Sequence, residues 1–376
     1  MIKLKKDVWV IKNIDEVCES IFAGGDVPKN SFSKTKTDKL TVPIFSNGEK
    51  DKGLFGYTDI EIVIKPSLTI SARGTIGYSE IREGRYYPAV RLIVLIPNIR
   101  IIDLFFLKIA ISNIDFASSG TSIPQLTVPM VKKYAIPLPP LDEQQRIVEL
   151  FQSIEQSIVQ TEAQEKNLKL LQKTLSNGLV NNQPSFGNLL SKKVCKPCLF
   201  SDIVECIEKH DKSPLEHGLT RFIGLENIAS ENFTVQGFGN IEDGTTFTKR
   251  FAKGDVLFGK RRAYLKKVAV ADYDGICSSD ILVFRAIEKE ILPELLPYYV
   301  SSDSFINHAV STSAGSLSPR TKWKDLAGFQ LSTPDIKTQE KIVDVMNQLS
   351  QSLQLIIQQK ETLKKLKQKL LNEILG

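Results

Sequence analysis

The sequence predicts an α+β protein: two α/β globules joined by two long helices, built as an internal repeat. Three observations carry this. The run Pro139-Pro140-Leu141-Asp142-Glu143-Gln144-Gln145-Arg146-Ile147-Val148 returns as Thr333-Pro334-Asp335-Ile336-Lys337-Thr338-Gln339-Glu340-Lys341-Ile342-Val343. Each copy opens a proline-free run of about forty residues with apolar steps of three and four. Each long run follows a stretch of about 140 residues richer in Gly, Pro, Thr and β-branched residues.

The repeat is the strongest signal. Gln144 and Gln339 stand 339 − 144 = 195 apart, and the same offset pairs Gly120 with Gly315, Pro124 with Pro319 and Pro139 with Pro334. Between 141–181 and 336–376 about eleven of forty-one positions are identical, where chance gives roughly two or three. A shared coiled-coil bias explains matched leucines, but not the matched Gly, Pro and Gln upstream.

Each repeated run reads as one helix. The first carries Ile147, Phe151, Ile154, Ile158, Leu168, Leu171, Leu175 and Leu179 as its stripe. The second carries Ile342, Met346, Leu349, Leu353, Ile356, Leu363, Leu366, Leu370 and Ile374. Both start just after a proline (Pro140, Pro334), where a missing N–H costs nothing. Asp142 and Glu143 suit the positive end of the first, and Lys364, Lys365, Lys367 and Lys369 the negative end of the second. Some forty residues at about 1.5 Å each span roughly 60 Å. A stripe that long cannot bury itself, so the two helices are expected to pair.

The globules read as strands and short helices. Strand candidates are Ile60–Ile64 and Val90–Ile96 in the first, and Asp255–Phe258, Lys267–Ala271 and Ile281–Phe284 in the second. Ile101–Ile114 and Ile291–Val310 read as helical. Turn-rich Asn177-Gly178 through Gly187 marks a joint. The expected domains are 1–140, a helix over 141–181, a linker over 182–189, a second globule over 190–335 and a helix over 336–376.

Composition bounds the function. The 376 residues allow two or three domains, and 42% apolar with 24% charged residues excludes general disorder. A net charge of +6 permits a polyanionic partner. No apolar run approaches the roughly 18 residues of a membrane span, and the first residues do not resemble a signal peptide. Five cysteines, an odd number, fit a reducing cytoplasm better than a disulfide scaffold.

No catalytic constellation is legible. The phosphate loop, the Gly-x-Gly-x-x-Gly fingerprint and the Glu-x-Lys triplet are all missing from the sequence. Cys195-Lys196-Pro197-Cys198 is a lone pair, and Cys206, His210 and His217 nearby make a poor zinc set. No metal, cofactor or catalytic residue is expected.

Nucleic acid has better candidates. Lys260-Arg261-Arg262-Ala263-Tyr264-Leu265-Lys266-Lys267 follows a strand candidate and holds five cations around a tyrosine. That is the footprint of phosphate contact and guanine readout. Lys249-Arg250 add charge upstream. In the first globule the like place is Ile70–Tyr78, with Arg73 and Thr75 in a glycine-flanked turn, followed by Arg82, Arg85 and Arg91. Trp323 sits between Lys322 and Lys324, but its repeat partner is Val128. It is therefore read as core, with the two lysines free to reach phosphate.

Gly120-Thr121-Ser122-Ile123-Pro124 and Ile136-Pro137-Leu138-Pro139-Pro140-Leu141-Asp142-Glu143-Gln144-Gln145-Arg146-Ile147, with their second copy over 315–342, resemble the specificity (S) subunit of type I restriction-modification systems. The second copy departs at Ser332-Thr333-Pro334-Asp335 and Thr338 but keeps Gln339 and Ile342-Val343. The resemblance implies two α/β target recognition domains, each reading half of a bipartite double-stranded DNA site, and two long antiparallel coiled-coil helices that space them with a pseudo-twofold repeat. It implies adenine-N6 methyltransferase (modification) subunits and restriction/translocase subunits as partners, with no chemistry in this chain. A coiled-coil scaffold whose globules bind proteins is the alternative on the residues alone.

Overall fold

The computed structural model describes residues 4, 6–116, 125–181, 186, 190 and 195–376. The chain forms two compact units, Met1–Glu162 with Gln358–Gly376, and Ala163–Ile357.

The first unit begins with β1 (Val10–Asn13), α1 (Ile14–Val17), β2 (Cys18–Ala23), β3 (Val42–Phe45), β4 (Leu54–Thr58), β5 (Ser67–Ile70) and β6 (Ser79–Arg82). It continues with β7 (Tyr87–Pro88), β8 (Ile93–Pro97), α2 (Leu104–Ser112), α3 (Val128–Lys133) and β9 (Ala135–Leu138), and enters α4 (Leu141–Asn181). The second unit runs β10 (Cys195–Leu199), α5 (Phe200–Ile203), β11 (Val204–Cys206), β12 (Arg221–Ile223), β13 (Gly239–Asn240), β14 (Lys249–Phe251) and β15 (Val256–Gly259). Then follow β16 (Val268–Val270), β17 (Gly275–Cys277), β18 (Ile281–Ala286), α6 (Leu296–Ser301), α7 (Asp303–Ser311), α8 (Trp323–Ala327), β19 (Gln330–Pro334) and α9 (Ile336–Leu375).

The two units share one plan. An antiparallel four-stranded sheet has the order β2-β8-β5-β6 in the first and β11-β18-β15-β16 in the second. A second sheet, of three strands in the first unit and four in the second, has one parallel pair in each, β3 with β7 and β12 with β17. The proline-rich run before each long helix is an edge strand, β9 on β1 and β19 on β10, where a proline's missing N–H is tolerated.

The repeated glutamine explains why each long helix starts where it does. Gln144 is fully buried, donates from Nε2 to the carbonyls of Ile101 and Pro139, and accepts the Asp103 N–H on Oε1. Gln339 is equally buried, donates to the carbonyls of Glu290 and Pro334, and accepts the Leu292 N–H. One amide side chain thus satisfies three backbone groups in each unit and clamps the helix start to the loop before α2 or α6.

The long helices bury their stripes in both ways the pattern allows. Ile147, Phe151 and Val148 of α4 share a core with Leu371, Ile374 and Leu375 of α9 and with the first unit's main sheet. Ile342, Met346 and Leu349 of α9 share the other core with Leu175, Leu179 and Val180 of α4. Within the first unit the two helices run antiparallel. Glu155 pairs with Lys367, and Glu162 with Lys364 at 3.4 Å. So these lysines bind the neighbouring helix, beyond any service to the helix dipole.

Four expectations are corrected. Ile60–Ile64 is not a strand: only Val63 is buried and bridges Tyr86, while Ile60, Ile62 and Ile64 lie exposed. Val90 and Arg91 take left-handed turns (φ 51° and 62°), so that strand starts at Ile93. Ser302 breaks the expected helix over 291–310 and caps α7 through the Phe305 N–H. Asn177 and Gly178 stay inside α4, where Asn177 accepts the Asp303 N–H. The heptad stripe also overreached. Leu171 and Leu366, repeat partners, are 46% and 43% exposed. A 3.5-residue pattern drifts around a 3.6-residue helix until mid-helix positions leave the interface. Gly120–Pro124 and most of the 182–189 linker lie outside the described residues.

Candidate nucleic-acid interface

The two basic loops leave equivalent corners of the main sheets. Arg73 follows β5 and Arg262 follows β15, 262 − 73 = 189 residues apart. The Leu126 N–H donates to the Ala72 carbonyl in one unit, and the Thr321 N–H donates to the Lys260 carbonyl in the other. The segment closing each domain therefore lies against the loop.

In the first unit Arg73 is exposed and its Nη2 donates to Gln125 Oε1 at 2.6 Å. Thr75 is exposed between Gly74 (φ 71°) and Gly77 (φ 87°), which turn the loop back into β6. Arg91, just before β8, reaches the same sheet end, because Ile93 pairs with Ile70 and Ala23. It is exposed. Sequence reasoning noted Arg91 but did not place it at the site; only strand register does.

In the second unit the corner is denser. Arg261 donates from Nε and Nη2 to Ser318 Oγ at 3.1 and 3.0 Å and lies 3.6 Å from Asp280. Arg320 donates Nε to Asp280 at 2.7 Å. Hydrogen bonding by Arg320, with the charges of Arg261 and Lys260, holds the Asp280 carboxyl below its usual range against the effect of burial. Arg262 sits at φ 54°, exposed, with Nη2 donating to the Leu317 carbonyl at 3.3 Å. Tyr264 is 53% exposed in the following turn. Arg320 is a cation that sequence reading missed; its signal was its place beside Lys322.

The remaining predicted residues divide. Lys322 and Lys324 are exposed beside Trp323, which packs against Phe200 and Phe284 as core. Arg250 stands apart from the corner, its N–H donating to the Lys209 carbonyl and its guanidinium 3.3 Å from Asp211. Lys249 is buried and paired with Glu208 at 2.9 Å. Lys266 is committed to Asp303 at 2.6 Å. Arg82 is buried, stacked on Phe45, and bonded to Thr69 and the Lys52 carbonyl. Arg85, paired with Glu61, follows the far end of β6. These four do not join the exposed clusters, because a cation near a sheet is as readily used to tie loops together as to face solvent.

Among the described residues no group of three metal-binding side chains comes together and no helix is long and apolar enough to cross a membrane. Cys195 and Cys198 lie on β10, and burial raises both thiols, which opposes the thiolate that metal or redox chemistry needs.

The type I restriction modification DNA specificity domain matches residues 6–170 and 223–365. S.MpnORF89P of Mycoplasma pneumoniae is 33% identical over 178 residues, which are 45% of this chain and 52% of that protein. The type I restriction enzyme EcoDI specificity subunit of Escherichia coli is 31% identical over 150 residues, 39% of this chain and 33% of its own length. The matches thus span a third to a half of those relatives. In fold, the chain is similar to the crystallised S subunit of a type I restriction-modification system from M. genitalium, at TM-score 0.61 and 15% identity, covering 100% and 98% of the two chains. A duplicated frame, two like basic corners and a family match over both halves lead to one conclusion: the chain belongs to the type I restriction-modification DNA specificity family.

Proposed function

We propose that this chain is the non-catalytic DNA reader of a cytoplasmic type I restriction-modification complex, with no cofactor of its own. Each target recognition domain reads one half of a bipartite double-stranded site, and the long helices set the spacing. Adenine-N6 methyltransferase (modification) subunits dock on this scaffold, and restriction/translocase subunits join them. The observation that carries the reading is the like placement of exposed arginines, Arg73 and Arg262, at the same corner of two equivalent sheets. Chance surface charge has no reason to recur there. The reading surface is Arg73, Thr75 and Arg91 in one domain, and Lys260, Arg261, Arg262, Tyr264, Arg320, Lys322 and Lys324 in the other, with Arg250 as a further DNA contact. Arg82, Arg85, Lys249 and Lys266 are left out of it.

Methylome sequencing of the host with and without the gene tests the proposal. Loss of one bipartite N6-methyladenine motif is expected. An unchanged methylome, with the methyltransferase subunits expressed, turns the reading toward a protein-binding scaffold.

A further inference from the structure

A second polar cluster in the second unit surrounds Arg250 with side chains that the proposed reading surface does not include. Asp211 is buried, and its carboxylate accepts from His217 Nδ1 at 2.9 and 3.0 Å, from the Ser213 N–H at 3.0 Å and lies 3.3 Å from Arg250 Nη1. A buried carboxylate is costly unless its partners are held in return. Here the acid fixes one guanidinium and one imidazole at the wall of a concavity of about 440 Å³. Lys209, Lys212 and His210 line the same concavity. Lys209 and Lys212 are exposed. His210 is anchored through Nδ1 on Thr248 Oγ1 at 2.8 Å, which leaves its Nε2 facing away from that anchor. Three permanent cations stand against Asp211, whose charge is already engaged, and Glu216 on the rim.

The place of this pocket matters. Cys206 of β11 pairs with Phe284, which pairs with Val256 of β15, and the Ile207 N–H still bonds Val283. β11 and β15 therefore run in the same direction, with Cys206 level with Val256, three residues before β15 ends at Gly259. The end of β11 is thus two strands across and three residues along from the end of β15, roughly 10 Å in each direction. Successive phosphates of one DNA strand advance about 3.4 Å along the axis, so a gap of this size is a few phosphates long.

We propose that this pocket is a phosphodiester clamp: it takes a backbone phosphate of the duplex flanking the half-site read by the Arg262 corner. The ligand chemistry is a singly charged phosphate diester, met by Lys209, Lys212, His210 and Arg250. The clamp adds affinity and register without sequence information. It rests on the DNA-reading proposal above.

The test is a salt titration of duplex binding by the full chain in its complex, comparing the parent with Lys209→Ala/Lys212→Ala and, separately, Arg262→Ala. The double variant is expected to make the slope of log affinity against log salt shallower by about two, with base preference unchanged at both half-sites in a randomised library. Asp211→Asn, which leaves both lysines in place, should weaken all sequences alike by a smaller factor. A double variant with the parent's slope overturns the clamp while leaving the DNA reader standing. A changed base preference overturns the backbone assignment. If the parent complex binds no duplex, both proposals fall. Inorganic phosphate separates the two sources of the chemistry. His217 and His210 ring signals that move with millimolar phosphate and not with duplex would make this a free-phosphate site and sink the clamp.

Discussion

The Arg73 loop and the Arg262 loop follow the same path from like sheets, yet they are held by different means. The first relies on glycine. Gly74 and Gly77 take left-handed conformations, and a Cβ on Gly77 would come within 2.9 Å of Phe116. The second has no glycine between Lys260 and Lys267, so Arg262 and Lys266 themselves adopt φ 54° and 50°. That strain costs about 1–2 kcal/mol per residue, and it is offset by ion pairs: Asp280 with Arg261 and Arg320, Asp303 with Lys266. Ile93, opposite Ile70, corresponds to Ile281, opposite Gly259, so the place of Asp280 is held in the first unit by the buried Leu92. One corner is thus a sparse, hinged arginine; the other is a braced cluster. The frame is kept while the exposed chemistry is exchanged, which is what the proposed reading of two different half-sites would require.

The strongest way to break this comparison is to attack the frame itself. Gln144→Ala and Gln339→Ala each strip one N–H and two carbonyls of their partner. At about 1–3 kcal/mol per buried unsatisfied group, each should cost its own unit about 3 kcal/mol or more. The chain has two tryptophans, Trp9 in one unit and Trp323 in the other. Urea unfolding followed by each, with the other replaced by phenylalanine, reads the units separately. Similar losses are expected; a loss below about 1 kcal/mol in one unit would show that the two clamps are not equivalent.

The next effect sharpens the comparison at the corners. Arg73→Ala and Arg262→Ala should each relax one base pair of its own half-site by about 1–3 kcal/mol if the arginine grips guanine. Arg261→Ala should do less to specificity, because its guanidinium is already spent on Ser318 and Asp280. Competition binding of the assembled complex on libraries randomised in each half-site measures all three. Loss of preference in the opposite half-site would refute independent reading.

A smaller effect isolates the glycine hinge. Gly74 sits at φ 71° with nothing within 4 Å of a new Cβ, so Gly74→Ala meets strain and no clash. The expected cost is about 1 kcal/mol in the Trp9 transition. No measurable cost would mean that the hinge is not what shapes the first loop.

Much of this was legible in the sequence, for physical reasons. The helix starts at Leu141 and Ile336 follow from proline and the repeated run, and β15, β16 and β18 were read from buried β-branched runs. Ile60–Ile64 misled because alternation records only a tendency, and in this segment a single residue, Val63, reaches the core. In the second unit the like position forms β14. Arg73, Arg261 and Arg262, proposed here as DNA contacts, do follow strands as the sequence reading placed them. Arg82, Lys249 and Lys266 were misjudged because charge says nothing about which acid or carbonyl lies within reach. Asp280 and Asp211 escaped notice for the same reason: each matters through partners 30 or more residues away in sequence or on a different strand.

The smallest effect belongs to the start of α7 in the second unit. Asp303 opens α7, and burial alone would raise its carboxyl. Hydrogen bonds from Lys266, Asn177 and Lys173 outweigh that and bring it from 3.8 to about 2. Because the folded value is the lower one, the pair stabilises the second unit above about pH 4, and that contribution is lost as the pH falls from about 4 toward 2. The Asp303 side chain is 37% exposed, so solvent screening limits the contribution to about 1 kcal/mol or less. Asp303→Asn should therefore unfold more readily than the parent at pH 6 in the Trp323 transition, and the gap should close between pH 4 and 2. The Trp9 transition should not distinguish the two proteins at any pH. A gap that persists unchanged at pH 2 would mean that Asp303 acts through its shape and not its charge, and that Lys266 is braced in its left-handed turn by something other than this acid.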